Sequence, residues 1–184
     1  MASELIVQTL KGPTSGSNAN KVIIPSGQTL DIDAWTPPTG TVLQVVNATT
    51  TSQVANTTTT YADNGLSASI TPSSTSSKIL ILVAQSSYTY RQTNDTHGYN
   101  VRLLRGTVTI YENERASMLN AGTSGNGYQE LYSILNFSYL DSPATTSEIT
   151  YKNQAKAFDS GNNGAITSQP GSRPSVMTLM EITG

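Results

Sequence analysis

Five consecutive apolar side chains, Ile79, Leu80, Ile81, Leu82 and Val83, constrain this chain more than any other stretch. Just before them Leu66, Ala68 and Ile70 alternate with Ser67 and Ser69, the period of a strand with one buried face. The run at 79–83 drops that alternation, so both faces of the strand it forms have to be covered. Full burial of five such side chains contributes on the order of 7–15 kcal/mol, an upper bound because the unfolded chain already hides some of that area. The expectation is a central strand over 77–87 with a cover on each side.

A chain of 184 residues has room for one core and a small appendage. Charged residues are only 12% of it and the net charge is -2 with no basic block, which leaves the phosphate binding that dominates nucleic-acid affinity without a footing. Without cysteine there is no disulfide, thiolate nucleophile or Cys-bound zinc. The N-terminus, MASELIVQTLKG, lacks the basic and apolar regions of a secretory signal. The run at 79–83 is far short of the roughly 20 residues that span a bilayer. A soluble protein is expected, with no cofactor, no nucleic-acid partner and no membrane insertion. Asn47, Asn56, Asn94 and Asn136 stand in N-x-S/T sequons, read here as products of a composition rich in Asn, Ser and Thr.

Residues 1–40 differ from the rest. Short strands are expected at 5–10, 22–24 and 29–32, separated by Gly, Pro, Ser and Asn, with a turn at Pro25, Ser26 and Gly27 and closure at Pro37 and Pro38. Pieces this short bury no core alone, so the segment is expected to lie on something else, with Trp35 as a packing anchor. From Thr41 onward strands come at regular spacing: 41–47, 57–61, 66–70, 77–87, 98–104, 107–111, 128–140, 147–157 and 175–183. Asp63, Asn64 and Gly65 read as a hairpin turn between the second and third of these, because Asn-Gly accepts the positive φ of a type I′ turn. A second hairpin is expected around Arg105 and Gly106, with Val101, Leu103, Val108 and Ile110 as its core face, then a loop over 112–127. The strand at 128–140 places Leu131, Leu135, Phe137 and Tyr139 on one face. No segment sustains a helical period, and no internal repeat is visible. The pattern predicts an all-β antiparallel sandwich or jelly roll over 41–184, preceded by a short extended segment at 1–40.

Five stretches in this order, VLQVVN, NGLSASITPSSTSSKILILVAQ, LLRGTVTIYE, LDSPATTSEITY and SVMTLMEITG, resemble virion proteins of tailed bacteriophages, particularly phages of marine and cyanobacterial hosts. The resemblance covers 41–184, and KVIIPSGQTLDIDAW is similar to a segment that often precedes this domain and recurs in fibre shafts. It implies a compact jelly-roll head of the kind that trimerises in phage fibres and in C1q and TNF proteins. A homotrimer would then cover the second face of 79–83 around its axis. The implied role is a tail-fibre or receptor-binding component on the virion surface. Residues 1–40, through Leu5, Val7, Ile23 and Trp35, would attach it to other virion proteins. The alternative is a capsid decoration or head-fibre protein fixed to the shell, and a lesser one is an enzyme that degrades host polysaccharide.

Catalytic signals are weak. The sole histidine, His97, would have to serve any Ser-His-Asp arrangement, and no G-x-S-x-G is present. It reads as a solvated loop residue, and a metal held by three copies on an axis is the lesser reading. Asp31 with Asp33, and Glu112 with Glu114, sit two apart on one strand face, without the cleft that separates a glycosidase pair. Residues 159–164, DSGNNG, begin like a calcium loop but carry Gly161 at a ligand position and lack the closing Glu. The glycines of GTSGNG are not followed by the Lys and hydroxyl of a phosphate loop. No catalytic residue and no metal ligand is assigned. What remains is Tyr88, Tyr90, Arg91, Asp95, His97 and Tyr99, crowded on one expected loop and its flanks. Tyrosines offer flat contact area with a polar tip and Arg adds forked hydrogen bonds, a set suited to a host-surface glycan or protein.

Overall fold

The computed structural model describes residues 14–17, 23, 26–27, 36–91, 96–119, 129–158 and 165–184. The chain divides into two compact units, Met1–Thr36 and Pro37–Gly184. In the first, Ser26 and Gly27 form a turn with Gly27 at φ 83°, and Ile23 is exposed. The other strand positions expected at 5–10, 22–24 and 29–32, and Trp35, lie outside the described residues.

The second unit is all-β. Its strands are β1 (Val42–Thr50), β2 (Val54–Asn56), β3 (Ala62–Ile70), β4 (Lys78–Arg91), β5 (His97–Arg105), β6 (Val108–Leu119), β7 (Gln129–Asp141), β8 (Ile149–Ala157), β9 (Ala165–Ser168) and β10 (Ser175–Ile182). All pairings are antiparallel, and among the described residues there is no α-helix, only a 3-10 turn at Pro170–Ser172. The pairing is nested: β5 with β6, β4 with β7, β3 with β8, and β1 with β10. Folding such a nested ribbon over on itself gives two facing sheets, the jelly-roll winding of an antiparallel sandwich. Sheet A runs β1, β10, β4, β7, with β9 and β2 continuing beside the far half of β4. Sheet B runs β3, β8, β5, β6.

Strand β4 is the spine of sheet A, and its inward side chains show how the interior is layered. Ile79, Ile81 and Val83 are fully buried against Leu66, Ile70, Leu103, Tyr151, Met177 and Leu179. The next inward residue, Gln85, is as buried as they are. Its Oε1 accepts from Asn64 Nδ2 at 2.8 Å and from Asn153 Nδ2 at 3.1 Å, so one amide ties β4 to both β3 and β8. Gln169 completes the layer with its nitrogen toward the carbonyls of Asn64 and Ser52, both at 3.0 Å. Its oxygen faces Gln85 Nε2 at 3.0 Å and Ser175 Oγ at 2.8 Å. Beyond this amide layer lies a second apolar cluster of Tyr99, Val101, Ala155 and Ile166.

The opposite end of the interior is closed by two carboxylates flanking Ile79, which pairs with Glu181 on one side and Asp141 on the other. Glu181 accepts from Ser73 N at 2.7 Å, Ser73 Oγ at 2.6 Å and Gln44 Nε2 at 2.6 Å. Asp141 takes both oxygens to Arg105 Nη1, at 3.0 and 3.1 Å, and accepts from the Tyr151 hydroxyl at 2.7 Å. Burial, followed by the Asp141 hydrogen bond and charge, holds the Tyr151 phenol well above its ordinary range.

The structure corrects several sequence expectations. Asn64-Gly65 is not a hairpin. Residues 58–60 bend, and Ala62–Ile70 is one strand whose register against β8 shifts between Asp63 and Ser67, with Gly65 at φ 83°. The same positive φ that suits a turn here makes a bulge, and Asn64, in phase with the inward Leu66, Ala68 and Ile70, reaches Gln85. Residues 112–119 continue β6 rather than opening a loop. The hairpin at Arg105 and Gly106 is present, but a register shift between Leu103 and Leu104 rotates the start of β6. Val108 is therefore 56% exposed and Leu104 is buried in its place. Strand β9 was not anticipated.

Two outcomes follow. Burial alone would raise the Glu181 carboxyl, but the hydrogen bonds from Ser73 and Gln44 outweigh it and lower the pKa from 4.5 to about 2. A depressed carboxylate stabilises the fold above its unfolded value, and that contribution, about 2–3 kcal/mol, is lost as pH falls from 4.5 towards 2. Urea midpoints of the native protein should drop over that window, and Glu181→Gln should be less stable at pH 7 with a shallower acid slope. An unchanged slope would remove Glu181 from the account. Replacing Gln85 by Leu leaves the buried amides of Asn64 and Asn153 unpaired, so equilibrium unfolding should show a loss of about 2–5 kcal/mol despite the added apolar surface.

Candidate functional site

The two outer faces of the sandwich have opposite characters. On sheet B the outward side chains form a charged lattice. Arg102 Nε donates to Gln154 Oε1 at 2.7 Å, Gln154 Nε2 to Asp63 Oδ1 at 2.6 Å, and Lys152 pairs with Asp63 at 3.5 Å. Arg102 and Lys156 each lie 4.4 Å from the centre of the Tyr61 ring, and the Tyr61 hydroxyl donates to Glu112 at 2.7 Å. Burial and the Glu112 carboxylate raise the Tyr61 pKa. Glu112 is thus part of this lattice, and Glu114 follows it on the same exposed side of β6. Asp31 and Asp33 lie outside the described residues, as do 159–164 and the GTSGNG loop.

Sheet A presents an outer face without charge through its middle. Register puts Val45, Met180, Leu80 and Leu140 in one row across four strands, then Asn47, Thr178, Leu82 and Ser138, then Thr49, Val176, Ala84 and Asn136. Small side chains at Ala84 and Ser138 leave a hollow of about 420 Å³, with Leu82, Val176 and Thr178 among its walls. Leu82 is 38% exposed and Ile134, beside the hollow on β7, is 66% exposed. The outward half of the apolar run at 79–83 is thus half-buried at Leu80 and exposed at Leu82.

Towards the far end of the same face stands an aromatic cluster. Tyr88 lies 4.6 Å from Tyr132 and 5.7 Å from Tyr90, ring centre to ring centre, and the Arg173 guanidinium rests 4.8 Å from the Tyr132 ring. A groove of about 420 Å³ runs between Tyr88, Tyr132, Thr167, Gln53 and Arg173. The Tyr88 hydroxyl donates to Glu130 at 2.8 Å.

Of the six residues read as a recognition loop, Tyr88 and Tyr90 belong to this cluster. Arg91 ends β4 opposite Gln129, and Asp95 lies outside the described residues. His97 and Tyr99 point into the sandwich from β5, His97 being 1% exposed. Both nitrogens of His97 lack a hydrogen-bond partner among the described residues. The Tyr99 hydroxyl lies 2.6 Å from Ser87 Oγ and 3.2 Å from Ser133 Oγ, a polar link between the sheets. Tyr132 and Arg173 were missed because no local signal brings them to Tyr88. Only the β4–β7 register, which sets Tyr88 opposite Tyr132, does so. Among the described residues no three His, Asp or Glu side chains gather as a metal site. The buried carboxylates, Asp141 and Glu181, are engaged in the structural hydrogen bonds given above. Contact, rather than proton transfer, is what the outer face of sheet A is equipped for.

No family model and no curated protein matches the sequence. Among solved structures the fold is similar to the crystal structure of the infectious bursal disease virus VP2 subviral particle, with a TM-score of 0.40 and 15% identity over 94% of this chain and 46% of that one. It is also similar to the structure of infectious bursal disease virus Gt strain, with a TM-score of 0.36 and 14% identity over 86% of this chain and 44% of that one. This chain spans less than half the length of each. A likeness on this scale does not reach to function.

The cluster and the interior make separable demands on stability. Tyr132→Ala removes ring contacts at the surface and should cost about 1–2 kcal/mol. Tyr99→Ala opens a cavity between the sheets and should cost about 3–5 kcal/mol. Urea unfolding of the two variants gives the ranking, and the reverse order would contradict the inward placement of Tyr99.

Proposed function

We propose that this chain is a non-enzymatic structural protein of a phage virion, working on the particle exterior as an assembly of identical copies, with a homotrimer as its form. The observation that carries the reading is the contrast between the two outer faces, one charged and one neutral and apolar. A sandwich that functions alone in water has no use for the second kind. The motifs shared with phage virion proteins and the jelly-roll winding support the virion setting. In this reading residues 1–40 hold the protein to other virion components. Attachment to the shell as a decoration or head-fibre protein is preferred, since it asks nothing of the loop at 88–99 as a receptor site.

A second reading has a specific observation in its favour. Tyr88, Tyr132 and Arg173 line a groove of the kind that accepts a sugar ring or a peptide side chain, which is what a tail-fibre protein contacting a host-surface glycan or protein would present. Enzymatic cleavage of host polysaccharide is the least supported, because neither Asp141 nor Glu181 faces a cleft.

Cryo-microscopy of purified particles with the protein labelled separates the readings by location, and absence of the label from the particle exterior would overturn both virion readings. Under the preferred reading, Tyr88→Ala combined with Arg173→Ala leaves adsorption to host cells unchanged. A loss of about tenfold or more with the melting temperature kept would transfer the assignment to the tail-fibre reading.

A further inference from the structure

The neutral face of sheet A has a definite occupant. We infer that it packs against the corresponding faces of neighbouring copies of this chain around a shared axis, with Leu82 and Ile134 in the contact. The inference rests on the reading above that the protein works as assembled copies, and it specifies the surface that joins them.

Three features select a copy of this chain over another partner. Charge is the first. Lys78 stands at one end of the face, Glu130 and Arg173 at the other, and among the described residues no charged side chain lies between. A charged partner finds nothing there to pair with, whereas an identical neutral surface buries no unpaired charge, and depletion of charge is what marks the core of a protein–protein contact. Shape is the second. Ile134 projects from the edge strand β7 while the hollow over Ala84 lies one strand further in. One surface thus carries both a knob and a recess, so the knob of one copy can seat in the recess of the next around a closed ring.

Size is the third. Four strands about 4.8 Å apart and about ten residues long at 3.3 Å each present about 600 Å², at the lower end of the roughly 600–1,000 Å² per partner of a stable specific interface. Strand β7 adds its own requirement. It is 13 residues long, pairs only with β4 among the described strands, and carries apolar side chains on both faces, Leu135 and Phe137 inward, Ile134 and Leu140 outward. A copy seated over this face covers the outward pair, Ile134 and Leu140.

The test compares the full chain with Leu82→Arg plus Ile134→Arg, and with Val108→Arg as a control from the exposed start of β6 on the other sheet. Light scattering at micromolar concentration gives the mass, and thermal unfolding gives the integrity of the fold. The native protein and the control should be oligomeric. The double variant should be monomeric, with self-association weakened at least about 100-fold and the sandwich retained by circular dichroism. A native oligomer whose mass survives the double substitution overturns the inference while leaving assembly intact. If mass survives and the melting temperature also falls steeply, the face is covered from within the chain, which again overturns it. A native protein that stays monomeric overturns the inference and the assembled reading together. If the double variant fails to fold, Leu82→Ser with Ile134→Ser, which adds no charge, gives the same readout.

Discussion

Strand β4 is apolar on both faces, and the chain supplies one sheet to lie on it. Everything else in the second unit follows from that imbalance. Sheet B closes the inner face, and Ile79, Ile81 and Val83 vanish into a close-packed interior. The outer face carries Leu80, Leu82 and Ala84, with Leu82 38% exposed. Polar groups then fix how sheet B sits on sheet A. Dispersion forces between two apolar sheets leave the sheets free to slide, whereas directed hydrogen bonds at each end of the core do not. Gln85 with Asn64 and Asn153 sets one end, and Asp141 with Arg105 and Tyr151 sets the other.

Apart from Asn153, the residues making these ties fall within the five stretches singled out in the sequence. Gln44 lies in the first, Asn64, Ser73 and Gln85 in the second, Arg105 in the third, Asp141 and Tyr151 in the fourth, Glu181 in the last. Motifs that look scattered along the chain converge in space. Ser73 reaches Glu181, and Asp141 collects both Arg105 and Tyr151. The stretch ITPSSTSSKIL has no catalytic reason to exist, and its structural reason is that it folds over a buried carboxylate. What these stretches encode, residue by residue, is how to close this sandwich. Such a code travels with the fold through many roles.

How legible the chain was depends on whether a feature is local. Alternation and apolar runs located most strands and the inward set Leu131, Leu135, Phe137 and Tyr139 on β7, because side-chain period needs no knowledge of partners. Asn64-Gly65 was misread because the dipeptide announces a backbone conformation, positive φ at Gly65, and both a turn and a bulge use it. Pairing with β8 decides between them. Val108 was misplaced for the same kind of reason, as the shift at Leu103 and Leu104 exists only in the register with β6. The aromatic cluster shows the limit most clearly. Tyr88, Tyr90, His97 and Tyr99 are close in sequence, but β4 and β5 belong to different sheets. The first two are set outward and the last two inward, and Tyr132 and Arg173 arrive from distant parts of the chain.

The nested pairing also dictates an order of events during synthesis. The β5–β6 hairpin forms from adjacent residues, and β4 meets β7 once that segment has been made. Strand β10 comes after all of these, yet it lies between β1 and β4, with Ile182 against Val42 on one side and Lys78 on the other. Until it emerges from the ribosome, sheet A has a gap at its centre and β4 has a bare edge beside its most apolar stretch. Contacts this distant in sequence are slow to form, and such an edge is exposed to wrong partners meanwhile. An incompletely folded chain is therefore most open to wrong pairing along β4 in the interval before β10 has docked beside it.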